Sequence, residues 1–276
     1  MRPNGPPRVA QAAWMLAQAT GGRFSLGLGT QVRPHIERRY SAPFSPPGPR
    51  MAEYIGALRA IYAAFRGEKL SFEGEYYNFS LLPREWSPGP MVFADPAVYV
   101  AGVRPWMCRM IGETADGMLV HPLNSPAYLE QIVVPNVAAA GRAVALVCPV
   151  MTAVSDDESV RERQRQGIRA RLAFYGSTPG YGVVFDASGW DGVGERLNLL
   201  QKERKLEEMM AVITDDMVDA FAITSTWDEL PQKLFDRFGG VADDVVCYSV
   251  FEHWGDEPDP MGRWQDVNRR FDKLAA

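Results

Sequence analysis

The chain has 276 residues, 46% hydrophobic and 23% charged, with a formal net charge of -5. That length suits one large α/β domain or two ordinary ones, and the apolar share excludes wholesale disorder. The acidic balance gives no basic footprint for phosphate neutralisation, so no nucleic-acid partner is expected. No window approaches the roughly 18 continuous apolar residues of a membrane span, and the opening Met1-Arg2-Pro3-Asn4-Gly5-Pro6-Pro7 lacks a signal-peptide core. Cys108, Cys148 and Cys247 lie far apart with no CxxC or Cys/His spacing. Neither a zinc site nor a disulfide framework is therefore expected, and a cytoplasmic location is.

Val9 to Gln18 is Ala-rich and helical, stopped by Gly21-Gly22, and Phe24–Gly29 reads as a short buried strand thinned by glycine. After a proline-rich loop, Tyr54, Leu58, Ile61, Tyr62 and Phe65 recur at helical spacing over 50–65. Phe72 to Phe79 alternates about a Gly-Glu turn, as in a small hairpin. A repeating unit follows. Strands are expected at Val98–Gly102, Met118–His121 and Val144–Val154, and helices at Pro105–Gly112, Ser125–Ala140 and Asp156–Phe174. Strand–helix alternation of this kind predicts parallel strands covered by helices, in one α/β domain over 1–276. The stretch 179–214 reads as a helical insertion of two short helices, and Ala220–Thr224 as a short edge segment. Thr226, with Glu229 three residues on, predicts a capped helix through Phe238. Val245–Phe251 is the last of five core strands, and Arg263–Leu274 a closing helix.

Ligands of α/β folds sit at the carboxyl ends of strands, which directs attention to those residues. Gly27-Leu28-Gly29-Thr30-Gln31 is no dinucleotide fingerprint, since no third glycine or helix follows. Either its glycines let a neighbour pack closely, or the strand end lets a flat ring lie against the backbone. At Ala101-Gly102-Val103-Arg104-Pro105 a strand ends in glycine and a helix opens at proline. The free N–H groups, the helix dipole and Arg104 would favour an anion there, although an ordinary strand-to-helix turn has the same pattern. His35 and His121 fall in strand-end loops, where a histidine donates a hydrogen bond, shuttles a proton, or serves structure alone. His253, beside Trp254, is a weaker candidate. Arg33, Arg38 and Arg39 crowd one loop with Glu37, either as a solvated surface or as a landing site for an acidic ligand.

Thr20-Gly21-Gly22-Arg23-Phe24-Ser25-Leu26-Gly27-Leu28-Gly29 resembles the Ser-Gly-Gly-Arg-Phe-x-Leu-Gly-x-Gly signature of the bacterial luciferase-like superfamily of flavin- and deazaflavin-dependent oxidoreductases. Further markers match in order: Arg50-x-x-Glu53, Phe72-x-Gly-x-x-Tyr77, Val98-Tyr99-Val100-Ala101-Gly102 and Ala115-Asp116-Gly117. Thr226-Trp227-Asp228-Glu229-Leu230 is similar to the family's Gly-Thr-Pro-Glu-Glu-Val segment without its glycine. Gln31-Val32-Arg33-x-His35-Ile36-Glu37-Arg38-Arg39-Tyr40 and Phe174-Tyr175-Gly176-Ser177-Thr178 resemble the branch that uses coenzyme F420.

The resemblance implies a TIM-type barrel with coenzyme F420, or FMN as second choice, across the carboxyl ends of the strands. It would place the cofactor phosphate on Ala101, Gly102, Val103, Arg104 and Pro105, and the ring or ribityl chain near Gly29, Thr30 and Gln31. His35 and His121 would be the catalytic candidates. The acidic residue kept by sugar-phosphate dehydrogenases of the family falls near Val32, which argues against that reaction. In the family the Thr20–Phe24 segment leads into the fourth strand, so the barrel is expected to be incomplete, with about five of eight strands. A late start in a longer gene would account for this. So would a remnant whose open edges are covered by a homo-oligomer or another partner, or an open sheet that still binds ligand. The implied activity is hydride transfer between F420 or FMN and a small organic substrate. The alternative is a non-catalytic module that binds a cofactor or a partner.

Overall fold

A computed structural model of the protein describes residues 5–249 and 257–275. Val250, Phe251, His253 and Trp254 lie outside these residues. The chain forms two compact units: Met1–Gly102, Trp106–Leu119 and Val137–Val144 make the first, and Val103–Pro105, Val120–Asn136 and Ala145–Ala276 the second.

In the first unit, α1 (Pro6–Ala19) opens with proline in its first turn and buries Ala10, Ala13, Trp14 and Ala17 at helical spacing. Trp14 is the anchor. Its ring meets Tyr62 and Phe65 of α2 (Pro47–Phe65) at 5.7 and 5.3 Å, and its Nε1 donates to the Gly89 carbonyl at 3.1 Å. β1 (Ser25–Gly29) pairs in parallel with β4 (Ala97–Gly102), from Ser25↔Ala97 to Gly29↔Ala101. The expectation of a buried strand fails here, because Ser25, Gly27 and Gly29 are exposed and Leu26 and Leu28 half-buried. The reason is topological: among the described residues β4 is the only strand beside β1.

The hairpin of β2 (Phe72–Glu73) and β3 (Asn78–Phe79) is antiparallel, with Phe72 opposite Phe79. Glu53 of α2 holds it. Its carboxylate accepts the backbone N–H groups of Glu75, Tyr76 and Tyr77 at 2.9, 2.7 and 2.6 Å. A side chain at Gly74 would strike that carboxylate, because a Cβ there would lie 2.2 Å from Glu53 Oε1. The Arg50-x-x-Glu53 and Phe72-x-Gly-x-x-Tyr77 patterns are thus two halves of one device. A second tie precedes β5 (Gly117–Val120). Asp116 accepts Val98 N at 2.8 Å and pairs with Arg59 and Arg142 at 3.0 and 3.6 Å. Helix α3 (Pro105–Thr114) runs so close to α5 (Val134–Ala138) that a Cβ at Gly112 would sit 2.3 Å from the Val137 carbonyl oxygen.

In the second unit, Ser125 caps α4 (Pro126–Tyr128) by accepting Tyr128 N at 3.1 Å. The helix expected over 125–140 continues through a π turn at Leu129–Val133 before α5. β6 (Ala145–Val154) is ten residues long and, besides its neighbour β5, serves two parallel strands from later in the chain. Val147 to Met151 pair with β8 (Asp244–Tyr248), and Met151 to Val154 with β7 (Ala222–Ser225). α6 (Glu158–Gly176) starts at an Asp157 cap that accepts Ser159 N at 2.7 Å.

The stretch 179–214 carries three helices where the pattern gave two: α7 (Gly182–Asp186), α8 (Val193–Lys202) and α9 (Leu206–Val212). α10 (Asp215–Phe221) then runs into the residues expected to open the edge strand, so β7 begins at Ala222. Thr226 Oγ1 does accept Glu229 N at 3.4 Å, but α11 (Leu230–Phe238) becomes regular only at Leu230. α12 (Pro260–Ala275) packs on α11, with Trp227 and Trp264 edge to face at 5.1 Å.

The fold is α/β with mostly parallel strands. Among the described residues β1, β7 and β8 each have a single partner strand, so the strands do not close into a barrel. Among the same residues no helix is long and apolar enough to cross a membrane.

Candidate functional site

The first unit has a cavity of about 210 Å³ at the carboxyl end of β1, lined by Gly29, Thr30, Ser45, Arg50, Tyr54 and Tyr77 among others. Arg50 stands in the first turns of α2, where Nε donates to Tyr77 Oη at 2.9 Å and Nη1 to Ser45 Oγ at 3.2 Å. Tyr54 and Tyr77 meet edge to face at 5.6 Å, and burial pushes the Tyr54 hydroxyl above its ordinary range. The two glycines of β1 do different work. A Cβ at Gly27 would press on the Leu119 side chain at 3.3 Å, whereas one at Gly29 would meet only the Ala101 Cβ at 3.9 Å. Packing accounts for Gly27. It leaves Gly29 as an open wall of the cavity.

The second unit gathers polar groups around His121, at the end of β5. Leu123 N donates to His121 Nδ1 at 3.0 Å, so the neutral imidazole carries its proton on Nε2. Burial lowers the imidazole pKa from 6.5 to about 4, which keeps the ring uncharged at neutral pH. Tyr175 and Tyr181 stand edgewise against it at 4.9 and 4.7 Å. The Tyr175 and Tyr248 hydroxyls are 3.2 Å apart, and burial, then that hydrogen bond, pushes Tyr175 up to about 12. Asn124 fixes the backbone beneath, donating through Nδ2 to the His121 and Pro149 carbonyls at 2.8 and 2.7 Å. Arg104 also belongs to this unit, with its Cδ 3.5 Å from where a Cβ at Gly180 would stand, one residue before Tyr181.

The remaining sequence candidates have these surroundings. Thr30 shares the first cavity with Gly29, and Gln31 takes a left-handed backbone, φ 57°. Ala101 is exposed and Gly102 half-buried at the end of β4. Val103 offers its carbonyl to the Tyr128 hydroxyl, and Pro105 begins α3. At Gly102 a Cβ would come 2.9 Å from Ile111 Cδ1 and 3.1 Å from Met107 Cβ, so the packing of α3 already demands glycine there. His35 is exposed in a π turn, His35–Arg39. Arg33 lies 4.2 Å from the Phe44 ring centre and 3.8 Å from Glu37, both its carboxylate partner and itself exposed, which is a solvated-surface arrangement. Arg50, Tyr77, Tyr175, Tyr181 and Tyr248 were not among the sequence candidates. Arg50, Tyr77, Tyr175 and Tyr181 were marked only by lying in or beside motif segments, and Tyr248 only by its strand, for they reach their sites from elements far apart in the chain.

The pattern of the luciferase-like monooxygenase family matches residues 2–243. An uncharacterised protein of Mycobacterium tuberculosis is 40% identical over 249 residues, which cover 87% of this chain and 73% of that protein. The 5,10-methylenetetrahydromethanopterin reductase of Archaeoglobus fulgidus is 26% identical over 238 residues, 83% of this chain and 68% of the reductase. Among solved structures, the coenzyme F420-dependent tetrahydromethanopterin reductase of Methanopyrus kandleri superposes with a TM-score of 0.66 at 20% identity, covering 88% of this chain and 73% of that one. That likeness is one of fold, and it agrees with the mostly parallel strands. Taken with the match along almost its whole length, the chain belongs to the luciferase-like monooxygenase family.

Proposed function

We propose that the protein is an F420-dependent oxidoreductase acting on a small organic molecule. The observation that carries this reading is the family match over residues 2–243, with F420-dependent proteins among the relatives. Within the chain, His121 is a neutral imidazole whose Nδ1 is occupied by Leu123 N and whose Nε2–H is the donor. The deazaflavin, when bound, supplies or accepts the hydride. The protein's share is orientation and polarisation. A donor with a pKa near 4 is unsuited to proton shuttling at neutral pH, so His121 is assigned the other role, donating to an oxygen that gains negative charge. Tyr175 and Tyr181 limit water around the ring. The open wall at Gly29, with Thr30 and Gln31 beside it, suits a flat ring or its ribityl chain. The turn Ala101-Gly102-Val103-Arg104-Pro105 suits the phosphate, through the first N–H groups of α3 and the charge of Arg104. FMN presents the same phosphate and a similar ring, and stands second on the resemblance to the F420-using branch. A reducing, cytoplasmic setting fits the three free cysteines.

Titration with F420 and with FMN, followed by absorbance and fluorescence, tests this directly. Saturable F420 binding is expected, with bleaching of the bound cofactor by a reductant. Arg104→Gln should weaken the affinity; Gly102 is unsuitable for this purpose because α3 packs on it. Failure of both cofactors to bind would overturn the reading.

The unpaired edge of β1 favours a second reading, a module that holds cofactor or partner without turnover, with that edge covered by another copy of the chain or by a partner. Sedimentation or light scattering should then show self-association. A stable monomer over the accessible concentration range contradicts covering by a second copy.

A further inference from the structure

Several cations of the first unit have a carboxylate partner. Arg59 and Arg142 pair with Asp116, and Arg66 pairs with Asp95 at 2.7 Å. Among the described residues no carboxylate pairs with Arg50, and unlike Arg23, Arg38, Arg39, Lys69 and Arg84, which also lack such a partner but are exposed, Arg50 is half-buried. Glu53, one turn along α2, spends its oxygens on three backbone N–H groups of the hairpin. Arg50 itself uses Nε on Tyr77 and one Nη1 hydrogen on Ser45, which leaves Nη2 and the second Nη1 hydrogen uncommitted. The guanidinium is therefore held in place by two neutral hydroxyls, with no carboxylate in ion-pair contact among the described residues. It lines the cavity of about 210 Å³ together with Thr30, Tyr54 and the Gly29 backbone. A half-buried arginine held in a fork and facing a polar cavity is suited to an oxyanion, which can take two parallel N–H groups at once. The apolar part of the lining, Ile36, Pro47 and Met51, gives an organic body something to rest against.

We propose that this cavity binds the oxyanion of a small organic acid, a carboxylate or phosphate on the substrate, with Arg50 as its primary contact. Naming the acid as substrate rests on the oxidoreductase reading above; the binding itself does not. Tyr77 and Ser45 act as positioning residues that hold the guanidinium. Thr30 offers a hydroxyl to the same ligand.

The test uses the full chain with benzoate as probe, benzyl alcohol as its neutral counterpart and inorganic phosphate as the bare oxyanion, each titrated by intrinsic fluorescence. Benzoate and phosphate should bind measurably better than benzyl alcohol. Arg50→Gln should weaken benzoate by about tenfold or more and Arg50→Lys by less, since lysine keeps the charge but not the fork. Equal affinities for benzoate and benzyl alcohol, or an unchanged affinity in Arg50→Gln, would overturn the proposal. If Arg50→Gln unfolds, Thr30→Phe serves instead. It fills the cavity without touching the partners of Arg50, and undiminished benzoate binding in it would equally sink the idea. F420 titration of Arg50→Gln separates the two sources of an oxyanion. Unchanged F420 affinity supports a substrate acid, whereas a parallel loss assigns the cavity to the cofactor's own phosphate and overturns the substrate assignment. Arg50-dependent benzoate binding in a protein that binds neither F420 nor FMN would leave the anion site standing while the oxidoreductase reading fell.

Discussion

His121→Phe is expected to slow turnover by about 100-fold or more, the usual cost of losing one donor aimed at developing charge, while F420 affinity changes little. His121→Gln retains an N–H donor on a side chain of similar reach and should recover part of that loss. A purely structural role would predict the opposite order, with both variants harming stability and neither separating turnover from binding. The lowered pKa has its own signature. Above about pH 6.5 the ring is neutral in both folded and unfolded chains, so it contributes no pH dependence there. As pH falls from 6.5 towards 4 the unfolded chain takes up a proton that the folded one refuses, and stability drops by up to roughly 3 kcal/mol before levelling off. Urea unfolding at pH 7, 5.5 and 4.5 measures this, and the acid-side loss should shrink in both variants. An equal acid loss in the wild type and in His121→Phe would place the titrating group elsewhere.

Gly112→Ala should destabilise the first unit by about 3 kcal/mol, because its new methyl would stand 2.3 Å from a backbone carbonyl that cannot swing aside. The two chain segments would have to separate, and a segment bonded along its length moves only as a whole. Gly29→Ala is the matched control. Its methyl has free space and its backbone is not left-handed, so the change in stability should stay within about 0.5 kcal/mol. Denaturation midpoints for the two variants give the comparison. Similar losses at both positions would mean that Gly29 also serves packing, and the open wall assigned to the cofactor ring would lose its support.

Much of the secondary structure was legible because it rests on local pattern. The helix over 50–65, the strands at 98–102 and 144–154 and the cap at Ser125 all follow from spacing within a dozen residues. What escaped the sequence depends on distant chain. β1 has the composition of a buried strand, yet its exposure is set by the strands beside it, and those are fixed by topology. β7 starts late because α10, favoured by its own Thr214 cap, extends further than the apolar run Ala220–Thr224 implies. The candidate residues divide in the same way. His121 was visible as a polar residue ending a strand. Its neighbours Tyr175 and Tyr181, and Tyr248 bonded to Tyr175, come from α6, the loop after it and β8, and no local spacing connects them. Arg50 and Tyr77 each stood in a recognisable motif, but the hydrogen bond between them, which turns two motifs into one anion-facing cavity, spans 27 residues.

Besides its earlier neighbour β5, β6 divides its length between two strands made much later, and this shapes the order in which the chain can be built. Leu146, at its start, is bound through Asp243, 97 residues further on, while its last four residues await a strand about 70 residues away. During synthesis, therefore, an apolar ten-residue strand emerges long before β7 and β8, two of the strands that will lie along it. Until then only its earlier-made neighbour β5 and α6, which follows directly, are there to shelter it. At a few to some twenty residues per second, that interval lasts on the order of ten seconds, ample time for two nascent chains to meet at their exposed strands. The charged face of α6, rich in arginine and glutamate, is thus placed where it can keep the youngest part of the second unit soluble while its partners are still being made.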